Sequence, residues 1–255
     1  MVHTIIIPKP VMVSGTGDPQ IFEEERERLH RHMLSCVSHD LKTPMASVIG
    51  ALEVIDRAKD KLSHEKQEQL ISVALQEAYR LDSFITNILD MARLENNMVK
   101  ARHENAEIGD LIRHCLTRAD TRLRGSQIIF EPKGAISVAT DSVLLCRAIS
   151  LVLDNAVKFG GMPLVLHIDC GVDENNAGYI GIRDNGGGIV EDKMEIIFSK
   201  YTRFGKEDQQ NAGTGLGLAI SRAIMNLLGG SIAAANHPDG GALLTLRFPL
   251  IKAAA

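Results

Sequence analysis

The sequence predicts an α+β protein: a helical hairpin that pairs with a second copy into a four-helix bundle, followed by an α/β sandwich domain. Two patterns lead to this prediction. Apolar residues first recur every three or four positions along two stretches of about 33 residues each. Short β-like runs then alternate with helical patterns toward the C-terminus. A chain of 255 residues has room for two such domains.

The overall composition excludes several classes of protein. The chain is 45% hydrophobic and 24% charged with a net charge of -4, which argues against wholesale nucleic-acid binding. No apolar run approaches the roughly 18 residues that cross a bilayer, and the start lacks the features of a signal peptide. We therefore expect a cytoplasmic protein with no nucleic-acid partner and no membrane span in this chain. The cysteines show no CxxC spacing and are predicted to be buried free thiols: Cys36, Cys115, Cys146 and Cys170.

The first half of the chain divides into a lead-in and a hairpin. Residues 1–22 are interrupted by prolines and glycines and are predicted to be extended or disordered. Residues 23–98 carry the two helical patterns, with Ser63 as the expected N-cap of the second helix. The first apolar seam is Leu34, Val37, Leu41, Met45, Val48, Leu52 and Ile55. The second is Leu70, Ala74, Ala78, Leu81, Ile85, Ile88 and Ala92. One hairpin hides both seams poorly, so the pattern predicts a homodimer.

The second half, residues 105–252, is predicted to be the sandwich domain, and the polar stretch of residues 95–107 is predicted to be its linker. The predicted helices are Ile108 to Leu123, Asp141 to Phe159 and Gly217 to Leu228. The predicted strands are Gln127 to Glu131, Ile136 to Ala139, Leu164 to Cys170, Gly178 to Arg183, Ser231 to Ala235 and Ala242 to Phe248.

The segment SHDLKTP on the first helix combines reactive side chains. His39 falls at heptad position f, away from the seam, and its neutral ring is available as a nucleophile. Asp40 could accept the ring proton or hold the tautomer, and Thr43 lies one turn further on the same face. Pro44 removes a helical hydrogen bond and is predicted to bend the helix. The alternative is an ordinary surface histidine, but no packing requirement explains this combination.

Two glycine-rich segments favour a nucleotide site. In DNGGGI, Asp184 follows a hydrophobic run and can accept a hydrogen bond from an exocyclic amine, while Gly186 and Gly188 let the backbone approach a flat base. In GTGLGL, glycines leave backbone N–H groups free for phosphate oxygens at a helix N-terminus. These glycines are Gly213, Gly215 and Gly217. Each segment alone could be an ordinary turn.

Together these segments resemble the boxes of bacterial sensor histidine kinases. SHDLKTP is similar to the phosphoacceptor box, SLVLDNAVKF to the N box, DNGGGI and GTGLGLAI to the two glycine boxes, and IFSKYTRF to the phenylalanine box. The resemblance implies a dimerisation and phosphoacceptor domain followed by a GHKL-type ATP-binding domain. It further implies autophosphorylation of His39 from ATP, transfer to an aspartate of a response regulator, and dephosphorylation of that regulator with the help of Thr43.

Within the boxes, individual residues are candidates for binding ATP and Mg²⁺. Asn155 offers a neutral oxygen to Mg²⁺, and Lys158 offers charge to the nucleotide. Residues 190–212 are predicted to form a mobile lid that Phe198 anchors, with Arg203 as the phosphate contact. The resemblance adds further candidates in the same boxes: Phe159, Ile189, Thr214 and Leu216.

One departure from the family pattern leaves another function open. Leu151 stands one turn before Asn155, where the family often has an asparagine, and leucine cannot bind a metal ion. The chain could then be a degenerate kinase that serves as a phosphotransfer or regulator-binding scaffold. A third class, the gyrase-type and mismatch-repair ATPases, shares only the nucleotide fold and lacks the phosphoacceptor hairpin.

Overall fold

The computed structural model describes residues 41–58, 61–202 and 215–250. The chain forms two compact units, Met1–Leu81 and Asp82–Ala255. Several predicted site residues lie outside the described ranges: His39, Asp40, Arg203, Gly213 and Thr214. Within those ranges, no helix is long and apolar enough to cross a membrane.

The first unit contains a helical hairpin. Its first helix, α1, covers residues 41–57 of the described chain, and α2 covers His64–Glu95 and continues into the second unit. Ser63 Oγ accepts a hydrogen bond from the amide of Lys66 at 3.3 Å, which confirms the predicted N-cap. Of the described residues of this unit, only Pro44, Ala51 and Ala74 are buried. Much of the predicted seam remains exposed in a single chain.

The second unit is an α/β sandwich, as predicted. Its helices are α3 (Ile108–Ala119), α4 (Ser142–Phe159) and α5 (Gly217–Leu227). Its strands are β1 (Glu104–Glu107), β2 (Gln127–Pro132), β3 (Ser137–Thr140), β4 (Val165–Val172), β5 (Ala177–Arg183), β6 (Ser231–Asn236) and β7 (Ala242–Pro249). Five of them form one sheet in the order β2-β4-β5-β7-β6, in which only β2 and β4 run parallel.

One face of this sheet forms the core with the three helices. Alternate strand residues such as Leu166, Ile168 and Ile180 are fully buried together with Ile149 of α4 and Ile220 of α5. The strands alternate because successive side chains of a strand point to opposite faces of a sheet. The core therefore fixes α4, which carries Asn155, Lys158 and Phe159, and α5, which begins at Gly217.

The prediction of a linker over residues 95–107 is wrong at its C-terminal end. Residues Glu104–Glu107 form β1, which pairs antiparallel with β3. The Glu107 carboxylate also accepts a hydrogen bond from the amide of Asp110 at 2.6 Å and so caps α3. This strand is short and polar, with half of it exposed, and therefore has no strand-like hydrophobic pattern. The other predicted helices and strands of the domain are present, with ends shifted by a few residues.

The start of α4 is held at several points. Asp141 Oδ1 accepts hydrogen bonds from the amides of Val143 and Leu144 at 3.1 and 3.0 Å and forms the N-cap. Further along, Arg147 donates to Asp90 Oδ2 at 2.9 Å and to Asn87 Oδ1 at 2.8 Å. Both acceptors lie in the part of α2 that belongs to the second unit. These contacts position α4 for the residues at its C-terminal end.

Candidate nucleotide-binding site

The last turns of α4 carry three predicted site residues. Asn155 is half-buried, and its side-chain amide forms no hydrogen bond to any residue in the described ranges. Lys158 and Phe159 are exposed at the helix end, where the Gly160 amide closes the last turn on the Ala156 carbonyl at 2.8 Å. The Asn155 amide oxygen therefore remains available to a ligand or a metal ion.

Leu151 lies one turn before Asn155 and belongs to the hydrophobic core. It is 4% exposed. A Cβ built at Gly217, the first residue of α5, would lie 3.7 Å from Leu151 Cδ2. The side chain thus packs where α4 meets the start of α5, and it contributes contact area rather than a metal ligand. Asn155 accordingly remains the candidate oxygen ligand on this face of α4.

Asp184 is a buried carboxylate directly after β5. It is 4% exposed, and its Oδ1 accepts hydrogen bonds from the amides of Gly186 at 2.8 Å and Ala242 at 3.1 Å. Its Oδ2 has no hydrogen-bond partner among the described residues. Two backbone donors therefore fix the orientation of the carboxylate and leave one oxygen to accept a hydrogen bond from a ligand.

The glycines after Asp184 are required by the packing of the protein itself. A Cβ at Gly186 would lie 2.2 Å from the Phe159 carbonyl oxygen, at the end of α4. Gly188 has φ 75°, and a Cβ there would lie 2.7 Å from Asn236 Oδ1. Larger side chains would push the loop off α4 and β6. The predicted close approach of a base is an additional requirement and stays a prediction.

Two asparagines that the sequence analysis did not select hold this loop. Asn236, at the end of β6, accepts from the Ile189 amide at 2.7 Å and donates to the Ile189 carbonyl at 2.8 Å. Asn185 Oδ1 accepts from the amides of Gly161 at 3.1 Å and Val165 at 2.9 Å. Asn185 lies inside the DNGGGI motif and could have been selected there, whereas no motif marks Asn236.

The start of α5 has the features of a phosphate-binding helix terminus. Gly215 has φ 63°, and a Cβ there would lie 2.8 Å from the Tyr201 carbonyl carbon, so only glycine fits. Leu216 is fully buried and fixes the turn, and no side chain in the described ranges caps α5. The first amides of Gly217 and the residues after it thus lie at an uncapped, positively polarised helix end.

The described part of the predicted lid is anchored to the domain. It contains two 3₁₀ turns, Glu191–Lys193 and Ile196–Phe198. Phe198 is buried, and the Arg222 guanidinium carbon lies 4.3 Å from its ring centroid. Arg222 also donates to Glu195 at 2.7 Å, and Lys200 forms an ion pair with Glu95. The ammonium group of Lys200 is therefore already paired with a carboxylate of the same unit.

The structure brings most of the predicted nucleotide residues together around α4. The Asp184 loop touches the end of α4 at Phe159, and the start of α5 touches α4 at Leu151. Thr43 lies on α1 in the first unit and is exposed. No group of three or more His, Cys, Asp or Glu residues within the described ranges could hold a metal ion. A Mg²⁺ ion here would thus depend on Asn155 and on oxygens of the nucleotide.

Comparison with protein families gives two matches along the chain. Residues 29–97 match the His Kinase A (phospho-acceptor) domain. Residues 140–252 match the histidine kinase-, DNA gyrase B-, and HSP90-like ATPase.

Relatives of known name cover nearly the whole chain. It is 31% identical over 227 residues to Sensor protein KdpD of Escherichia coli K12, which covers 88% of this chain and 25% of that protein. It is 29% identical over 236 residues to Sensor histidine kinase RcsC of Salmonella typhimurium, covering 90% of this chain and 24% of that protein. The chain thus spans about a quarter of the length of these relatives.

Solved structures share the fold. Histidine kinase ThkA in complex with response regulator protein TrrA has a TM-score of 0.67 at 22% identity, covering 92% of this chain and 67% of that chain. Acinetobacter baumannii histidine kinase AdeS has a TM-score of 0.64 at 21% identity, covering 84% and 98%. Full-length ShkA in complex with AMPPNP has a TM-score of 0.63 at 22% identity, covering 88% and 47%.

Proposed function

Because the chain belongs to the sensor histidine kinase family, we propose that it is an ATP-dependent autokinase that phosphorylates His39 and passes the phosphoryl group to an aspartate of a response regulator. Residues 23–98 supply the dimer and the phosphoacceptor, residues 105–252 bind ATP, and residues 1–22 form the lead-in. We place the activity in the cytoplasm, where response regulators act.

The geometry of Asp184 is the observation that carries this proposal. Its Oδ1 is held by two backbone amides, so Oδ2 keeps one direction and can accept from the exocyclic amine of adenine. The adjacent loop ends against α4 at Phe159 and is clamped by Asn236. The site is preorganised, which lowers the cost of binding.

The triphosphate needs positive charge and oxygen ligands. The N-terminus of α5, which no side chain of the described residues caps, offers the amides of Gly217 and the residues after it to phosphate oxygens. Lys158 and Arg203 supply cationic side chains, with Arg203 reaching from the lid. Asn155 provides an oxygen to Mg²⁺, which when bound neutralises charge on the phosphates. Gly213, Thr214 and Leu216 complete the loop on which the phosphates rest.

The transfer step uses the hairpin. A ring nitrogen of neutral His39 attacks the γ-phosphorus, the N–P bond forms, and the bond to the ADP oxygen breaks. Asp40 holds the ring tautomer and takes the ring proton. In the reverse role, Thr43 orients a water molecule against the phosphorylated aspartate of the regulator. The complex of ThkA with the regulator TrrA supports a partner of this kind.

Incubation with γ-labelled ATP and Mg²⁺ tests the autokinase. We expect acid-labile label on the wild type and none on His39→Gln, because the acceptor nitrogen is lost. The matched control is His64→Gln, an exposed histidine at the start of α2, which should label like the wild type. Chelation of Mg²⁺ should also abolish the label. Label that persists on His39→Gln would contradict the assignment.

The Thr43 role has its own test. Thr43→Ala should keep the label on His39 but slow the release of phosphate from the phosphorylated regulator by roughly tenfold. Lys42→Ala, a change at the neighbouring exposed residue, is the control. Unchanged release by Thr43→Ala would contradict the role assigned to Thr43.

The buried Leu151 favours a second candidate, a scaffold without catalysis. Leucine offers no polar group on the face that carries Asn155, and its side chain is buried in the core. A scaffold predicts little or no nucleotide affinity. Calorimetry with a non-hydrolysable ATP analogue separates the two functions, because the autokinase must bind it and lose affinity in Asp184→Asn.

A further inference from the structure

Two cysteines that are far apart in sequence meet between α3 and α4. Cys115 of α3 is fully buried, and its Sγ donates to the Cys146 carbonyl oxygen at 3.9 Å. The Cys115 and Cys146 thiols also perturb each other's pKa, as expected of neighbouring sulfur groups. Cys146, on α4, is half-buried. The pair thus combines one thiol that solvent can reach with a second thiol in contact behind it.

The surroundings of Cys146 stabilise a thiolate. The neighbouring Cys115 thiol, followed by His114, Ser150 and Arg118, lowers the pKa of Cys146 to about 6, against the opposing effect of burial. Cys170 on β4 differs, because burial and the carboxylates of neighbouring acids raise its pKa. Reactive cysteines typically lie in electropositive, partly exposed surroundings, as Cys146 does and Cys170 does not.

We propose that Cys146 is a redox modification site that reacts with hydroperoxides, and that Cys115 converts the oxidised Cys146 into a disulfide that joins α3 to α4. The arrangement is that of an accessible thiolate beside a resolving thiol. The site is independent of the proposed kinase activity. It would covalently fix the helix that carries Asn155 to its neighbour.

The two steps balance. The Cys146 thiolate attacks the peroxide oxygen, an S–O bond forms and the O–O bond breaks, and the leaving oxygen takes a proton to become water or an alcohol. The sulfur is oxidised by two electrons to a sulfenic acid. Cys115 then attacks that sulfur, the S–S bond forms and the S–O bond breaks, and the departing hydroxide takes the Cys115 proton as water.

Oxidation of the full chain with hydrogen peroxide, followed by alkylation and peptide mass spectrometry, tests the proposal. We expect a cross-linked peptide pair containing Cys115 and Cys146, which a dithiol reductant separates again. In Cys115→Ala the reaction should stop at a sulfenic acid on Cys146 that dimedone traps. The matched control, Cys170→Ala, should form the same cross-link at the wild-type rate.

Several outcomes would overturn the proposal. One is full alkylation of Cys115 and Cys146 after peroxide treatment, which would show that neither reacts. Another is oxidation of Cys146 at the same rate as the buried Cys170, since we expect at least about a tenfold difference. A third is a wild-type chain that stops at the sulfenic acid. Thermal unfolding of the Cys115→Ala chain, with Cys115→Ser as a second variant, verifies that the tested proteins are folded.

Discussion

The two units of the molecule differ in how they bury apolar surface. The largest fully buried side chains within the described ranges, from Ile108 to Met225, all belong to the second unit. In the hairpin, by contrast, Met45 and Leu52 are 48% and 52% exposed, and Leu75 is 52% exposed. The second unit therefore has a complete core of its own, while the hairpin lacks a covering surface.

This difference bears on the two groups of predicted site residues, which lie in different units. Asp184 and Asn155 are positioned by a core that a single chain completes, so a single chain should suffice to bind nucleotide. The helix that bears Thr43 carries an apolar face that a second hairpin would cover, which supports the proposed homodimer. We therefore expect folding of the first unit to be coupled to association, and folding of the second to be independent of it.

The largest effect is expected in the core of the second unit. Leu145→Ala removes a fully buried side chain of α4 and should lower the free energy of unfolding by about 3 kcal/mol. Leu227→Ala, at a partly exposed position on α5, is the control and should cost much less. Urea denaturation measures both. If Leu145→Ala also changed the oligomeric state, the dimer would depend on the core of the second unit.

The next effect concerns the hairpin. Leu52→Glu places a charge on the exposed apolar face and should weaken the dimer about thirtyfold, or by about 2 kcal/mol. Arg57→Gln, at an exposed position five residues further along α1, should leave it unchanged. Sedimentation analysis measures the dissociation constant. A dimer of unaltered strength in Leu52→Glu would place the interface elsewhere.

A smaller effect is expected at the nucleotide loop. Asn236→Ala removes both hydrogen bonds to Ile189 and should weaken binding of an ATP analogue about fivefold, or by about 1 kcal/mol. The loss is modest because the freed backbone groups can bind water. Asn175→Ala, in the turn between β4 and β5, is the control. Equal affinities in calorimetry would mean that Asn236 does not position the loop.

The smallest effect is expected at a single side chain, the thiol of Cys146. Cys146 should be alkylated at a rate that falls by half near pH 6, because its lowered pKa keeps the thiolate present until the pH drops to that value. Cys115→Ala removes the main cause and should move the midpoint toward higher pH. The Leu52→Glu variant should keep the wild-type midpoint. A shift in that variant would mean that the second unit depends on the dimer.

The sequence predicts those parts of this molecule that follow from local patterns. Helix periodicity, alternating strands and the Ser63 cap are local, and the structure contains them. The strand β1 has no such pattern, since Glu104–Glu107 depends on its partner β3 for its conformation. The clamp by Asn236 and the meeting of Cys115 with Cys146 join residues 31 or more positions apart, so only the tertiary fold reveals them.

The site follows the same rule. Asp184 and the glycines can be predicted because they lie in short motifs whose residue types suit a nucleotide site. The structure adds that Gly186 and Gly188 are needed for packing against Phe159 and Asn236, and that Leu151 is a core residue. The role of each candidate toward ATP stays a prediction.

One measurement tests the central claim, that the second unit binds the nucleotide by itself and that His39 of the hairpin accepts the phosphoryl group. ATP-analogue affinity and label from γ-labelled ATP are determined on the same preparations of His39→Gln and Asp184→Asn. We predict wild-type affinity without label for His39→Gln, and loss of both for Asp184→Asn. Wild-type affinity in Asp184→Asn, or acid-labile label on His39→Gln, would contradict it.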